Sequence, residues 1–412
     1  MVEKYRRFAM HRLEEAAKDT PVILIHGPRQ CGKTTLAQLF GEAPSYEYIT
    51  FDDLVQLDGA SSDPVGFVRN LPERVILDEI QRAPRIFLPL KAAVDADRGP
   101  GRFILTGSTN VLLLPKLADS LAGRLEILRL HPLSQEELAG KESDFLAKLF
   151  SASFPGGRIP RAGLDITERI ISGGYPAALS RESFHRKAAW YHEYIETIVQ
   201  RDVRDLARIA SLDSLPRLLR LAASQTSRMV NLADLASAFQ FSRPTLKDYI
   251  QLLERAFLIE QLPPWSSNRI SRLIKSSKLH VTDTGLAAAL LGADANTLRK
   301  DRALLGQLLE TFVVQELRRQ ASRADGNVSF YHFRTKDGVE INLVLEAVGS
   351  NIAGIEIKAS ATVTKSDFRG LTKLRNAHGD HFACGVVLYD GDSIVSFGDR
   401  LFAVPLHALW EL

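Results

Sequence analysis

Val22-Ile-Leu-Ile25, followed by Gly27-Pro28-Arg29-Gln30-Cys31-Gly32-Lys33-Thr34-Thr35, decides the fold of this chain. Four apolar residues ahead of a glycine-rich turn read as a short buried strand. The spacing Gly-x-x-x-x-Gly-Lys-Thr is that of a phosphate-binding loop, and it stands where such a loop must, between a strand and a helix opening at Lys33. The glycines let the backbone curl so that its N–H groups and the helix N-terminus face an anion. Lys33 is expected at the β and γ phosphates, and the Thr34 hydroxyl at a magnesium ion.

Working outward, Val75-Ile-Leu77 is a second apolar strand, and it ends in Asp78-Glu79. Asp78 is expected to hold the magnesium shell with Thr34, and Glu79 to orient and polarise an attacking water. Phe103-Ile-Leu-Thr106 is a third such strand, followed by Gly107-Ser108-Thr109-Asn110. Ser108 and Asn110 are candidates for sensing the γ phosphate or holding the water; a plain turn is the competing reading. Arg124, in Leu121-Ala-Gly-Arg124, is either a charge-stabilising finger supplied to another subunit or a surface arginine. Strands alternating with helices over residues 1–140 imply a parallel sheet with helices on both faces. The expected ligands are ATP and Mg2+, although nothing in the loop chooses adenine over guanine.

These motifs, in this order, resemble a family. Gly-Pro-Arg-Gln-x-Gly-Lys-Thr-Thr is followed by Leu77-Asp-Glu-Ile-Gln81, Leu105-Thr-Gly-Ser108, Leu121-Ala-Gly-Arg124 and Leu130-x-Pro-Leu-Ser134. Gly173-Gly-Tyr-Pro176 and Asp283-Thr-Gly-Leu286 extend the likeness over most of the chain. The pattern is similar to the prokaryotic AAA-type ATPases with a C-terminal domain of unknown function, the AAA_14/DUF4143 group. That resemblance implies an AAA-like core and homo-oligomers in which one subunit's arginine meets another's nucleotide.

Residues 141–278 read as a helical middle. Residues 141–165 look like a looser join. Asn231–Phe239 has helical periodicity, Ser242 is an N-cap, Pro244 fits the first turn, and Leu246, Tyr249, Ile250 and Leu253 line one face of the next helix. With Phe257–Glu260 as a β wing, this is a winged-helix pattern. Its second helix exposes Arg243 and Lys247 as candidate DNA contacts, and residues 268–275 add basic charge. Asp248 and Glu254 dilute the patch, so a packing module is an equal reading.

Residues 279–412 pair an apolar helix, Leu304–Leu317, with β-rich runs. Strand alternation puts Glu340, Asn342 and Glu346 on one face of one strand, and Glu356 beside Lys358 on the next. Carboxylates beside a lysine suit metal-dependent phosphodiester hydrolysis. The set, with Glu310 on the preceding helix, resembles the restriction-endonuclease-like fold, except that Asn342 stands where that signature has aspartate. Losing that charge weakens a metal site, so the domain is expected to be degenerate.

Composition bounds the rest. Net charge is +3, from 52 Lys and Arg against 49 Asp and Glu, so any nucleic-acid affinity must come from a local patch. Two cysteines, Cys31 and Cys384, suggest a reducing, cytoplasmic setting rather than a disulfide framework. Met1–Thr20 lacks a signal-peptide core, and no apolar run reaches about 18 residues, so no membrane span is expected. The fold expected is thus α/β: an AAA-type parallel sheet (1–140), a helical winged-helix middle (141–278) and a restriction-endonuclease-like α/β domain (279–412). The function expected is an ATP-hydrolysing switch. An ATP-gated nuclease and a non-catalytic nucleotide-dependent adaptor are the alternatives.

Overall fold

The computed structural model describes residues 5–42, 45–108, 121–159, 165–200, 214–266, 276–323, 328–335 and 337–412. Asn110 and the basic stretch 268–275 lie outside these residues. The chain forms two compact units: Arg6–Leu133 with Arg255–Phe257, and Ser134–Glu254 with Leu258–Leu412.

In the first unit, helix α1 (Ala9–Ala16) precedes strand β1 (Val22–His26). Then come α2 (Lys33–Gly41), β2 (Glu47–Thr50), α3 (Leu54–Ser62), α4 (Pro64–Arg69), β3 (Val75–Asp78), α5 (Phe87–Ala96), β4 (Phe103–Gly107) and β5 (Leu125–Arg129). The five strands form one sheet in the order β2-β3-β4-β1-β5, and every pairing is parallel. Val22 and Leu24 pack into one apolar cluster with Leu77, Leu105, Phe87 and Leu90. Ile23 and Ile25 pack into a second, with Ile76, Ile104, Leu36 and Leu13. Alternate residues of the same strand therefore enter opposite cores, which is why these strands read as unbroken apolar runs. In such a sheet a ligand site forms beyond the C-terminal strand ends, where β1, β3 and β4 all terminate.

The second unit begins with helices Gln135–Ala139 and Phe145–Ser151, then β6 (Gly157–Arg158). Residues 141–165, read as a loose join, thus contribute a helix and a short edge strand. β6 gave no sequence signal because its pairing with Ser393 and Ile394 runs through backbone groups and needs no apolar side chain. Helices Ile166–Ser172 and Phe184–Ile198 follow. Next come α6 (Ser214–Ser224), β7 (Arg228–Met229), α7 (Leu232–Phe239), α8 (Arg243–Arg255), β8 (Ile259–Leu262) and β9 (Lys278–Val281). β9 lies between β7 and β8, antiparallel to both. Leu246, Tyr249, Ile250 and Leu253 of α8 are buried, Arg243 and Lys247 are exposed, and the Ser242 hydroxyl accepts from Thr245 N at 3.2 Å.

After helices Thr284–Leu291 and Ala295–Lys300 come α9 (Arg302–Arg323), β10 (Ser329–Arg334), β11 (Glu340–Glu346), β12 (Ile352–Lys358), α10 (Arg369–His378), β13 (Phe382–Tyr389), β14 (Ser393–Gly398), β15 (Leu401–Pro405) and a last helix, Ala408–Glu411. The sheet order is β10-β11-β12-β13-β15-β14-β6. β10, β11 and β12 form an antiparallel meander, and β13 returns parallel to β12 after α10. Ile341, Val344 and Ile352 pack with Leu371 and Leu374 of α10.

The Gly-Gly-Tyr-Pro and Asp-Thr-Gly-Leu motifs meet in this unit's interior. Asp283, fully buried, accepts from Tyr191 Oη at 2.8 Å, Gly174 N at 2.8 Å and Leu286 N at 3.1 Å, with Arg319 at 3.5 Å. Gly173 has φ +66°, and a Cβ there would lie 2.2 Å from Tyr191 Oη. These motifs therefore build a packed polar junction, which their residues require for steric reasons.

Candidate functional site

The phosphate loop sits at the C-terminal end of β1. Gly27 is fixed by space: a Cβ at that position would lie 2.0 Å from the Leu130 carbonyl oxygen. Gln30 (φ 59°) and Gly32 (φ 100°) take the left-handed conformation, which curls the loop ahead of α2. Pro28 is buried, Arg29 half-buried, and Gln30 and Thr35 exposed. Lys33, only 5% exposed, donates to the Pro28 carbonyl at 2.8 Å, closing the loop on itself. Arg7 braces it from behind, donating to the carbonyls of Cys31 and, at 2.7 Å, His131. The Cys31 thiol is buried against Leu130, and burial pushes its pKa up, so it is a packing group. His26, just before the loop, is pushed down to about 3 by burial, with Arg129 and Lys33 adding to the effect.

Three strand ends complete the site. Asp78, 4% exposed at the end of β3, accepts from Thr34 Oγ1 at 2.9 Å, from Tyr48 Oη at 2.8 Å and from Thr106 Oγ1. Thr34 and Asp78 thus present two hard oxygen donors side by side, a set that fits magnesium. The Tyr48 hydroxyl is pushed up by burial and by Asp78, which keeps it a donor. Glu79 has a left-handed backbone (φ 56°, ψ 46°), and its N–H donates to Thr106 Oγ1 at 3.1 Å. Its carboxylate Oε2 accepts from Ser108 Oγ at 3.0 Å and from Gln81 Nε2. Arg124 pairs with Asp95 of α5, Nε to Oδ1 at 2.6 Å.

Lys33, Thr34, Asp78, Glu79 and Ser108, all read from the sequence, therefore converge. Arg124 is tied to its own subunit's carboxylate. Arg7, Tyr48, Thr106 and Gln81 were missed as contributors. Gln81 was visible in the Asp-Glu-Ile-Gln run, but only the turn after Glu79 shows why it matters.

The second constellation lies between α9, β9, β11 and β12. The structure brings Glu310, Glu340, Asn342, Glu356 and Lys358 together. A sixth residue, unread from sequence, occupies their centre: Lys278 of β9, 3% exposed, lies 2.7 Å from Glu310 Oε1 and 2.6 Å from Glu340 Oε1. Burial works against its charge, but those two carboxylates outweigh it and raise its pKa. Asn342 Nδ2 donates to Glu310 Oε2 at 2.7 Å, and its Oδ1 accepts from Ile357 N at 2.9 Å. Lys358 lies 3.3 Å from Glu356 and 3.6 Å from Asp367, so it faces carboxylates. Among the described residues no group of three or more His, Cys, Asp or Glu side chains is arranged to hold a metal ion. Lys278 stands at the end of residues 263–278, which read as a basic loop, whereas it opens a strand, Lys278–Val281, whose four residues are all buried.

Three family models match the chain: an AAA domain (AAA_14) over residues 19–139, a domain of unknown function (DUF8612) over 163–297, and another (DUF4143) over 305–409. The uncharacterized protein Rv2008c of Mycobacterium tuberculosis is 30% identical over 97% of this chain and 83% of its own length. An uncharacterized protein of Haemophilus influenzae is 23% identical over 75% of this chain and 77% of its own. Among solved structures, the Walker-type ATPase paby2304 of Pyrococcus abyssi aligns at 17% identity with TM-score 0.44, covering 71% of this chain and 96% of that one. The Thermotoga maritima RuvB Holliday junction branch migration motor aligns at 18% identity with TM-score 0.29, covering 69% and 94%. Among the described residues no helix is long and apolar enough to cross a membrane.

Proposed function

Because the chain belongs to the family of P-loop ATPases that join an AAA domain to a C-terminal DUF4143 domain, we propose that it binds ATP with Mg2+ and hydrolyses it as a molecular switch. The convergence of Lys33, Thr34, Asp78 and Glu79 at one sheet end carries this reading. Lys33 exchanges the Pro28 carbonyl for β and γ phosphate oxygens, while the loop N–H groups hold the anion. Thr34 and Asp78 hold Mg2+, which when bound would neutralise phosphate charge. Glu79 keeps one carboxylate oxygen, Oε1, without a hydrogen bond among the described residues, and orients water through it. A complete Asp78-Glu79 pair speaks against a purely non-catalytic adaptor. Binding of a fluorescent ATP analogue with Mg2+ tests the site. Lys33→Ala should weaken it at least about tenfold, roughly 1.4 kcal/mol; unchanged affinity would refute the assignment.

The switch acts on the other modules, which we take as a winged-helix middle and a restriction-endonuclease-like C-terminal domain. The order α6, β7, α7, α8, β8, β9 supports the first, and helix, antiparallel meander, helix, parallel strand supports the second. Arg243 and Lys247 are the candidate DNA contacts. In the C-terminal cleft one observation favours a non-cleaving role over a nuclease: Lys278 already supplies the positive charge between Glu310 and Glu340. Lys358, held by Glu356 and Asp367, belongs to the same closed network. Assembly into homo-oligomers would let Arg124 leave Asp95 for a neighbour's nucleotide. Two buried free thiols, Cys31 and Cys384, suit a cytoplasmic setting.

A further inference from the structure

Glu79 and Gln81 are two residues apart, a spacing that separates side chains in a helix and sets them on one face of a strand. Here neither applies. The left-handed backbone of Glu79 turns the chain sharply at the end of β3, and a 3-10 turn over Ile80–Arg82 follows. Ile80 is fully buried in the sheet's core and anchors that turn. The turn folds Gln81 back beneath Glu79. Gln81 Nε2 donates to Glu79 Oε2 and, at 3.0 Å, approaches Ser108 Oγ; the Ser108 hydroxyl donates to the same Oε2 at 3.0 Å. The three side chains close a ring in which both donors meet one carboxylate oxygen. Ser108 is buried and Gln81 half-buried, so the ring is shielded on one side.

We infer that Gln81 is a positioning residue for hydrolysis: with Ser108 it holds Glu79 so that Oε1 faces the attacking water. The inference rests on the ATPase reading above and adds to it a residue that touches neither nucleotide nor water. A glutamate has three side-chain torsions, and a general base must lie within about 2.6–3.2 Å of the proton it takes. Two donors fixed to Oε2 remove the carboxylate's rotational freedom and leave the other oxygen aimed. An amide suits this place because its nitrogen can only donate to the carboxylate, whereas a glutamate there would set two carboxylates against each other. Ser108, at the end of β4, ties the ring to the strand next to the phosphate loop.

The test compares parent, Gln81→Ala, Gln81→Glu, Glu79→Gln and the double variant Glu79→Gln/Gln81→Ala. Steady-state phosphate release gives kcat, a fluorescent ATP analogue gives affinity, and thermal unfolding confirms folding. We expect Gln81→Ala to lower kcat roughly 10- to 100-fold and Gln81→Glu at least as much, with affinity within about threefold of the parent. In the Glu79→Gln background the second change should cost nothing more, because the positioned base is already gone. A structural role would add its loss in both backgrounds. Parental or faster turnover in Gln81→Ala overturns the inference, as does a kcat loss matched by lost affinity or unfolding. A parent without Glu79-dependent hydrolysis overturns the ATPase reading itself, and the inference with it.

Discussion

Lys278 Nζ lies 2.7 Å from Glu310 Oε1, inside a cleft where sequence alone suggested weakened metal chemistry. The ammonium also meets Glu340, and it is almost completely buried. Asn342 is a working part of this arrangement, because its amide bonds Glu310 and the β12 backbone at once. The departure at Asn342 thus belongs to a cluster whose carboxylates are bonded internally by Lys278, Lys358 and the Asn342 amide.

That geometry sets the expected behaviour of the cleft. Asn342→Asp alone should give no Mg2+- or Mn2+-dependent DNA cleavage, because Lys278 still occupies the space between the carboxylates. Lys278→Ala should destabilise the second unit by about 3–5 kcal/mol, the usual cost of leaving buried charge without its partner. A gel assay and urea unfolding check these. Parental cleavage abolished by Lys358→Ala, or a Lys278→Ala cost below about 1 kcal/mol, would contradict the closed-cleft account.

His26 gives a pH dependence of known sign. Its folded pKa is about 3 against an ordinary 6.5, so the unfolded chain binds a proton that the folded chain refuses. The stability is intact above pH 6.5 and falls as pH drops from there toward 3. At about 1.4 kcal/mol for each pH unit between those two values, the full loss is on the order of 5 kcal/mol. His26→Gln should flatten that part of the profile, measured as parent minus variant in urea unfolding from about pH 7 to about pH 4. A constant difference across the range would refute neutral burial.

Arg124 and Asp95 test assembly. An arginine serving a neighbour's nucleotide must give up its 2.6 Å contact with Asp95. Inactive Arg124→Ala mixed with inactive Lys33→Ala subunits should recover part of the hydrolysis, since mixed oligomers hold some intact composite sites. No recovery, with subunit exchange demonstrated, would leave Arg124 as a brace for α5.

Gly173→Ala tests the buried junction. The added methyl meets Tyr191 and Asp283 and sits on a backbone with φ +66°. A loss of at least about 2 kcal/mol in unfolding free energy is expected, with Mg-ATP affinity of the chain unchanged. A neutral substitution would mean the junction relaxes.

How much of this was legible in the sequence follows from the kind of signal each part leaves. The parallel sheet was clear because both faces of β1, β3 and β4 are buried, giving continuous apolar runs. The meeting of Lys33, Thr34, Asp78 and Glu79 at one sheet end was legible because the glycine-rich motif and the strand-ending acidic pair have fixed residue types and spacing. The parts played by Tyr48, Thr106 and Gln81 were hidden, although Gln81 itself stands in a quoted run: they act through hydrogen bonds between strands or across a turn, and any polar residue reads as solvated until its neighbours are known. Lys278 was hidden for the same reason. It stands 32 positions before Glu310 and 62 before Glu340 (310 − 278 and 340 − 278), so only the fold, which sets β9 beside α9 and beside β11 of another sheet, brings them together. Gly173 and Asp283 stood out as motifs, and their role proved to be packing.

The central claim is that Glu79 activates water for ATP hydrolysis at this strand end. Phosphate release by Glu79→Gln at saturating Mg-ATP, read beside nucleotide affinity, tests it most directly. The expected result is affinity within about threefold of the parent and turnover at least about 100-fold slower. Turnover equal to the parent's, in a variant that still binds, would contradict the role assigned to Glu79.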